Sequence, residues 1–156
     1  MIENLKVFDC VPFYQSNLLF ELRLKTLIKI VDKFVVCEAT KTHAGERKDL
    51  VFDLDRFKDY KDRINYIVVE DMPNKLNNSY EKYPRYNFQI DKLQEGISDL
   101  NDEDLLIVSD EDEIPNPLNI LNFDYKNYKY GIFLQKLYYY KLNIQNIGEH
   151  DGSRWP

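Results

Sequence analysis

Two cysteines among 156 residues, Cys10 and Cys37, are too few for a disulfide framework or a cysteine-rich zinc site. Five glycines leave no G-x-G-x-x-G and no Walker sequence, so a glycine loop cradling a phosphate is excluded. Histidine is as scarce, with His43 and His150 alone, and no G-x-S-x-G elbow is present. No apolar run approaches the ~18 residues of a membrane helix, and the N-terminus lacks the apolar stretch of a secretory signal. A cytoplasmic chain without a transmembrane segment is therefore expected. Basic residues are outnumbered, 21 Lys and Arg against 27 Asp and Glu for a net charge of −6, so no nucleic-acid partner is expected.

What is present is a core. With 44% apolar residues, the chain can bury one domain, expected over residues 1–156. Residues Leu5–Phe13 predict a strand interrupted at Pro12. Ser16 is placed to cap a helix running to about Val31, with Leu18, Leu19, Leu22, Leu27, Ile28 and Val31 on one face. Phe34–Cys37 predicts a strand buried on both sides. A polar loop, Thr40–Asp49, leads to a short helix over Asp53–Tyr60 and a strand over Ile64–Val69. After a loop with Pro73, a helix is expected over Tyr86–Leu100, with Phe88, Ile90, Leu93 and Ile97 inward. Leu105–Val108 is the clearest buried strand, Pro117 opens a short helix, and Tyr130–Leu142 predicts a long aromatic strand. Alternating strands and helices of this kind make an α/β domain around a largely parallel sheet. Cys10 and Cys37 fall inside strands and read as inert core thiols.

Acids follow the strands. Asp9 lies in the first, Glu38 follows the second, Glu70 and Asp71 the third, and Ser109–Asp110–Glu111–Asp112–Glu113 the fourth. Ligands of open α/β sheets bind outside the carboxyl ends of the strands, so these carboxylates are expected to converge on one crevice around a hard cation, Mg²⁺ or Mn²⁺. Asp-x-Asp alone says little, because it occurs three times: Asp53/Asp55, Asp102/Asp104 and Asp110/Asp112. Only the last stands at a strand's carboxyl end. A solvated acidic loop capping the helix at Pro117 accounts for the same residues. The spacing of an EF-hand is absent, and a haloacid-dehalogenase arrangement would need Thr or Val where Ile114 stands.

The segment SDEDEIPNP around Asp110–Pro115 resembles the signature of glycosyltransferase family 17, the β-1,4-mannosyl-glycoprotein 4-β-N-acetylglucosaminyltransferase group. Phe8–Asp9–Cys10 and Glu21–Leu22–Arg23–Leu24 are similar to the family's opening strand and E-x-R-L helix. VDKFVVCEATKTHAG, Val31 to Gly45, resembles its second strand and following loop; Tyr138–Tyr140, Leu142–Asn143 and Trp155 resemble later blocks. The resemblance implies a GT-A type three-layer sandwich with a mainly parallel central sheet, a UDP-sugar donor (commonly UDP-N-acetylglucosamine), inverting transfer and a glycan acceptor. It implies a Mn²⁺ or Mg²⁺ ion at Asp112, with Asp110 at the metal or the donor ribose. Glu38 is a candidate for the nucleotide base or ribose, or else an exposed strand-end acid. Arg23 and Lys41 are candidates for the diphosphate, with an ion pair to a nearby acid the preferred reading of Arg23. Lys41, His43, Arg47 and Lys48 form a basic loop that either closes over the donor or is simply solvated.

Three positions depart from the family pattern. Gln89–Ile90–Asp91 stands where the family carries Gln-Arg-Asn, His43 where it has an aromatic residue, and Glu46 where it has Lys. The resemblance also implies an acceptor part beyond the Trp, and its Gly-Trp-His and Ser-His elements are absent from these residues. An inverting transfer needs a general base. It is unassigned here, with His150 and Asp151 the only late candidates; a donor-binding module without turnover is the alternative expectation.

Overall fold

The computed structural model describes residues 5–74, 83–136, 138, 144 and 145. The chain forms two compact units, 1–114 and 115–156. The first is a mixed α/β unit built on four strands: β1 (Val7–Phe13), β2 (Lys33–Ala39), β3 (Ile64–Val69) and β4 (Leu105–Val108). They lie in the order β3-β2-β1-β4, and every pairing is parallel. Parallel pairing aligns the carboxyl ends of all four strands on one edge, which is where the sequence places its acids.

Central strands β1 and β2 are buried on both faces, as their largely apolar sequence requires, with Asp9 and Glu38 the buried acids among them. Pro12 does not interrupt β1. The Cys10 carbonyl accepts from Ser109 N, so Pro12, two residues on, faces the same side, beyond the last residue that β4 pairs. Its missing N–H therefore costs no ladder bond.

Helix α1 (Asn17–Leu27) covers one face of the sheet. Ser16 caps it, its side chain accepting from Leu19 N at 3.2 Å. The helix ends four residues before the expected Val31, and its inward face is also different. Phe20, Arg23, Leu24 and Leu27 are buried, whereas Leu18 and Leu22 are 68% and 55% exposed. Five apolar residues among Leu18–Leu24 allow two helical phases, and the one with an arginine inward wins because Arg23 has a buried partner. Around Phe20, the rings of Phe34, Phe52 and Phe57 pack edge to face at 5.0–6.1 Å between centroids.

The opposite face carries α2 (Pro84–Lys92), with Pro at its first turn, followed by a 3₁₀ turn at Leu93–Gly96. This pair replaces the single helix expected to Leu100. Phe8, Cys10, Val35, Cys37, Ala39, Val69, Met72 and Leu93 form the core on this side, with Phe88, Ile90 and Ile97 packed against it. Gly96 permits the close approach, since a Cβ there would collide with Val35 Cγ1. Burial pushes the Cys10 and Cys37 thiols up to about 12, which makes both unreactive core groups.

The expected helix at Asp53–Tyr60 is a set of turns followed by a 3₁₀ helix over Lys58–Arg63. In the second unit, α3 (Pro117–Leu121) is capped by Asn116, whose Oδ1 accepts from Leu118 N at 2.9 Å. Residues 130–136 form no strand, against the expectation for Tyr130–Leu142. Tyr138 bridges Gln145 in antiparallel fashion, and Tyr139, Tyr140, His150, Asp151 and Trp155 lie outside the described residues. Among the described residues no helix is long and apolar enough to cross a membrane.

Candidate functional site

The carboxyl edge of the sheet is organised by one side chain. Arg23 is fully buried and spends all five of its N–H groups. Nε and Nη2 donate to the two oxygens of buried Asp9, each at 2.7 Å, in a bidentate pair. Nη2 also donates to Ser109 Oγ at 2.7 Å, and Nη1 to the carbonyls of Asp110 and Glu113 at 2.9 and 3.2 Å. An arginine of the first helix thus grips the backbone of the loop that follows β4. No N–H is left for a diphosphate, which corrects that expectation for Arg23 in favour of the ion pair.

With its backbone held from behind, the loop sorts its acids. Glu111 turns back to the start of the first helix, Oε2 accepting from Tyr14 N at 3.1 Å. Glu113 Oε2 accepts from Asp110 N at 3.3 Å, inside the loop itself. Asp110 Oδ1 accepts from the Tyr86 hydroxyl at 3.1 Å, while Asp112 is exposed and takes no hydrogen bond among the described residues. Burial raises Asp110, Glu111 and Glu113 above the usual carboxylate range, helped by the neighbouring acids. Tyr86 is pushed up to about 12 by burial and by Asp110, so it remains a hydrogen-bond donor.

Glu38, at the end of β2, has the opposite environment. It is fully buried rather than an exposed strand-end acid. Oε1 pairs with Lys48 and accepts from Val51 N at 2.8 Å; Oε2 accepts from Phe52 N at 3.0 Å and the Tyr66 hydroxyl at 2.7 Å. Four partners saturate the carboxylate and lock segment 48–52 over the sheet end, with Phe52 stacked on Tyr66 at 5.0 Å. Glu38 is thus a clamp with no free oxygen for a nucleotide.

Lys41 donates to Met72 O at 3.3 Å and Asn74 Oδ1 at 2.5 Å, so its charge faces no acid there. The basic loop is a small hairpin, closed by a Lys41–Arg47 bridge and turned at Gly45 with φ of 95°. Arg85, unmarked by any sequence pattern, donates to the carbonyls of His43, Pro73 and Asn74 at 2.9–3.1 Å.

The convergence of acids is narrower than the sequence suggests. Asp9 and Glu38 are spent on Arg23 and on the clamp, and Asp71 pairs with Lys92 at 3.4 Å. Asp53 Oδ1 accepts from the amides of Asp55 and Arg56, and Asp104 from Lys6 N and Asn101 N, so those two Asp-x-Asp pairs shape turns. Among the described residues, no three His, Cys, Asp or Glu side chains group as a metal site. What the edge offers is two carboxylates, Asp110 and Asp112, a tyrosine hydroxyl, and a cationic rim at Lys41 and Arg85.

Comparison with curated proteins finds no match, and neither does comparison with solved structures. The model of glycosyltransferase family 17 matches residues 2–144, a span that includes Asp9, Arg23, Glu38 and the whole 109–113 loop. The chain belongs to glycosyltransferase family 17, and is a glycosyltransferase.

Proposed function

We propose that the chain binds a UDP-sugar, with N-acetylglucosamine as the sugar, through Mn²⁺ or Mg²⁺ held by Asp112 and Asp110, and transfers the sugar with inversion to a glycan acceptor. The observation that carries this reading is the sorting of acids after β4. Arg23 fixes the loop backbone, Glu111 and Glu113 satisfy amides, and Asp110 and Asp112 keep carboxylate oxygens free. Two carboxylates without a third protein ligand suit a hard ion that completes its shell with water and phosphate oxygens. When bound, that ion neutralises the diphosphate and stabilises it as the leaving group.

The chain's own residues hold the arrangement. Tyr86 orients Asp110 through one oxygen and leaves the other open. The Asp9–Arg23 pair and the Glu38 clamp keep the ends of β1 and β2 rigid beneath the donor, so both act as supports. Lys41 carries its charge at the rim of the same edge, available to a phosphate. A parallel sheet with helices on both faces and its acids at the carboxyl edge supports a GT-A type assignment.

Calorimetric titration of UDP with and without Mn²⁺ tests this, together with turnover of UDP-N-acetylglucosamine. Binding should require the metal and disappear in Asp112→Asn. Intact protein that binds no UDP in the presence of Mn²⁺ would contradict the reading. Metal-dependent binding without donor hydrolysis or transfer would point to a donor-binding module.

A further inference from the structure

Tyr14 comes directly after Phe13, the last residue of the buried central strand β1, yet it is 48% exposed. A ring left outside the core at that point has to be held by something other than packing. The peptide group that joins Phe13 to Tyr14 is held at both ends. Its carbonyl, on Phe13, accepts from Gln89 Nε2 at 3.4 Å, and the same nitrogen donates to the Cys37 carbonyl at 2.6 Å. Its N–H, on Tyr14, donates to Glu111 Oε2 at 3.1 Å. Gln89 is 3% exposed and lies on α2, so the peptide plane is fixed between a buried amide and the acidic loop. The Tyr14 side chain therefore leaves the backbone from a set position.

The ring is held from one side. Lys48 spends two of its three N–H groups on buried Glu38 and on the Asp49 carbonyl. Its ammonium then stands over the Tyr14 ring, with Nζ 5.9 Å from the centroid, within reach of the negative ring face. The opposite face is left to solvent. A cation on one face draws π density toward itself, so the outer face repels a second cation and takes poorly to the positively polarised C–H groups of a sugar. A neutral flat ring stacked on it is the better complement. Glu111, which holds the Tyr14 amide, stands between Asp110 and Asp112 in the chain, so the open face adjoins the two uncommitted carboxylates.

We propose that Tyr14 is a stacking platform for the nucleobase of the donor, with Gln89, Glu111 and Lys48 as the residues that position it. This rests on the donor-binding reading above and adds that the base is held by its face.

Titration of UDP and of inorganic pyrophosphate, each with Mg²⁺, into wild type, Tyr14→Phe and Tyr14→Leu tests it. Tyr14→Phe keeps the π face and should bind UDP as wild type does. Tyr14→Leu keeps apolar bulk without the face and should bind UDP at least about fivefold more weakly. Pyrophosphate carries no base, so its affinity should be the same in all three. A second readout is the proton spectrum of UDP: the uracil H5 and H6 resonances should move upfield on binding to wild type, under the ring current of Tyr14, and should not do so with Tyr14→Leu. Unchanged UDP affinity in Tyr14→Leu would overturn the platform, as would UDP bound to wild type without the upfield shift. Equal losses of UDP and pyrophosphate would make Tyr14 a support of the acidic loop instead, and a loss in Tyr14→Phe as large as in Tyr14→Leu would assign the effect to the hydroxyl; either overturns the proposal. In each of these cases UDP still binds wild type, so the donor reading survives. No metal-dependent UDP binding by wild type removes that reading and the platform with it.

Discussion

Glu38, near the end of β2, and Asp112, after β4, are both acids at the carboxyl edge of the same parallel sheet, yet one is fully buried and the other exposed. The difference comes from what reaches each from elsewhere in the chain. Segment 48–52 folds back over Glu38 and brings two amides and an ammonium, while Tyr66 brings a hydroxyl from β3. After β4 the incoming group is Arg23, already paired with Asp9, and from the loop it takes backbone carbonyls and the Ser109 hydroxyl, none of the loop's carboxylates. The same local pattern therefore makes a structural clamp in one place and leaves carboxylate oxygens uncommitted in the other. Position at a strand end brings an acid to the site, and the polarity of its incoming partner decides whether it stays available.

That contrast can be broken from the buried side first. Replacing Arg23 by Met strands Asp9 as an unpaired buried charge and releases the 109–113 loop. The expected loss is about 3–5 kcal/mol in denaturant unfolding. Unchanged stability would mean that the Asp9–Arg23 pair organises nothing. Glu38→Gln should rank next, at about 2–4 kcal/mol, because an amide NH₂ must then face a backbone N–H, a hydroxyl or Lys48. A variant as stable as wild type would show that the clamp is dispensable. Asp112→Asn, on the exposed side, should change stability by no more than about 0.5 kcal/mol. It should nonetheless reduce metal-dependent UDP affinity at least about tenfold; a large melting shift instead would make Asp112 structural.

The smallest effect concerns pH. Burial raises Glu113, so its ionisation opposes folding. Its contribution to stability is full below the ordinary carboxylate range and is lost as pH rises through the raised value. Glu113→Gln keeps an oxygen for Asp110 N and removes that charge. Its melting temperature relative to wild type should therefore rise between pH 4 and 7, by about 1 °C for a partly solvated group. A relative shift in the opposite direction would show that the charged form is the favoured one in the fold.

Much of this architecture is readable from residue order. Val7–Phe13, Phe34–Cys37, Ile64–Val69 and Leu105–Val108 are short apolar runs bounded by polar segments, and each is a strand. Ser16 and Pro117 mark helix starts because capping is a local property. The phase of α1 was not readable, since Leu18 and Leu22 satisfy the helical period as well as Phe20 and Leu24 do. Deciding between them requires the Arg23–Asp9 contact, a pairing across 14 residues that no periodicity encodes. The burial of Glu38 escaped for the same reason: its partners Val51, Phe52 and Tyr66 are 13 to 28 positions away. At the site, the acids after β4 stood out by their place at a strand end, whereas Gln89 and Arg85 carried no signal. Both act through backbone carbonyls, which are present at every residue and mark none.

The five-way commitment of Arg23 has a consequence for how the acidic motif can be moved or inherited. The shape of the 109–113 loop depends on a guanidinium 87 to 90 positions upstream in the chain. A lysine, with three donors on one nitrogen, has too few to replace it. The motif is therefore not a portable cassette. Grafted onto another strand end, or made as an isolated peptide, SDEDE would be an ordinary run of mutually repelling acids. Its ability to present two carboxylates outward belongs to a pair of segments, and a change in either is felt in both.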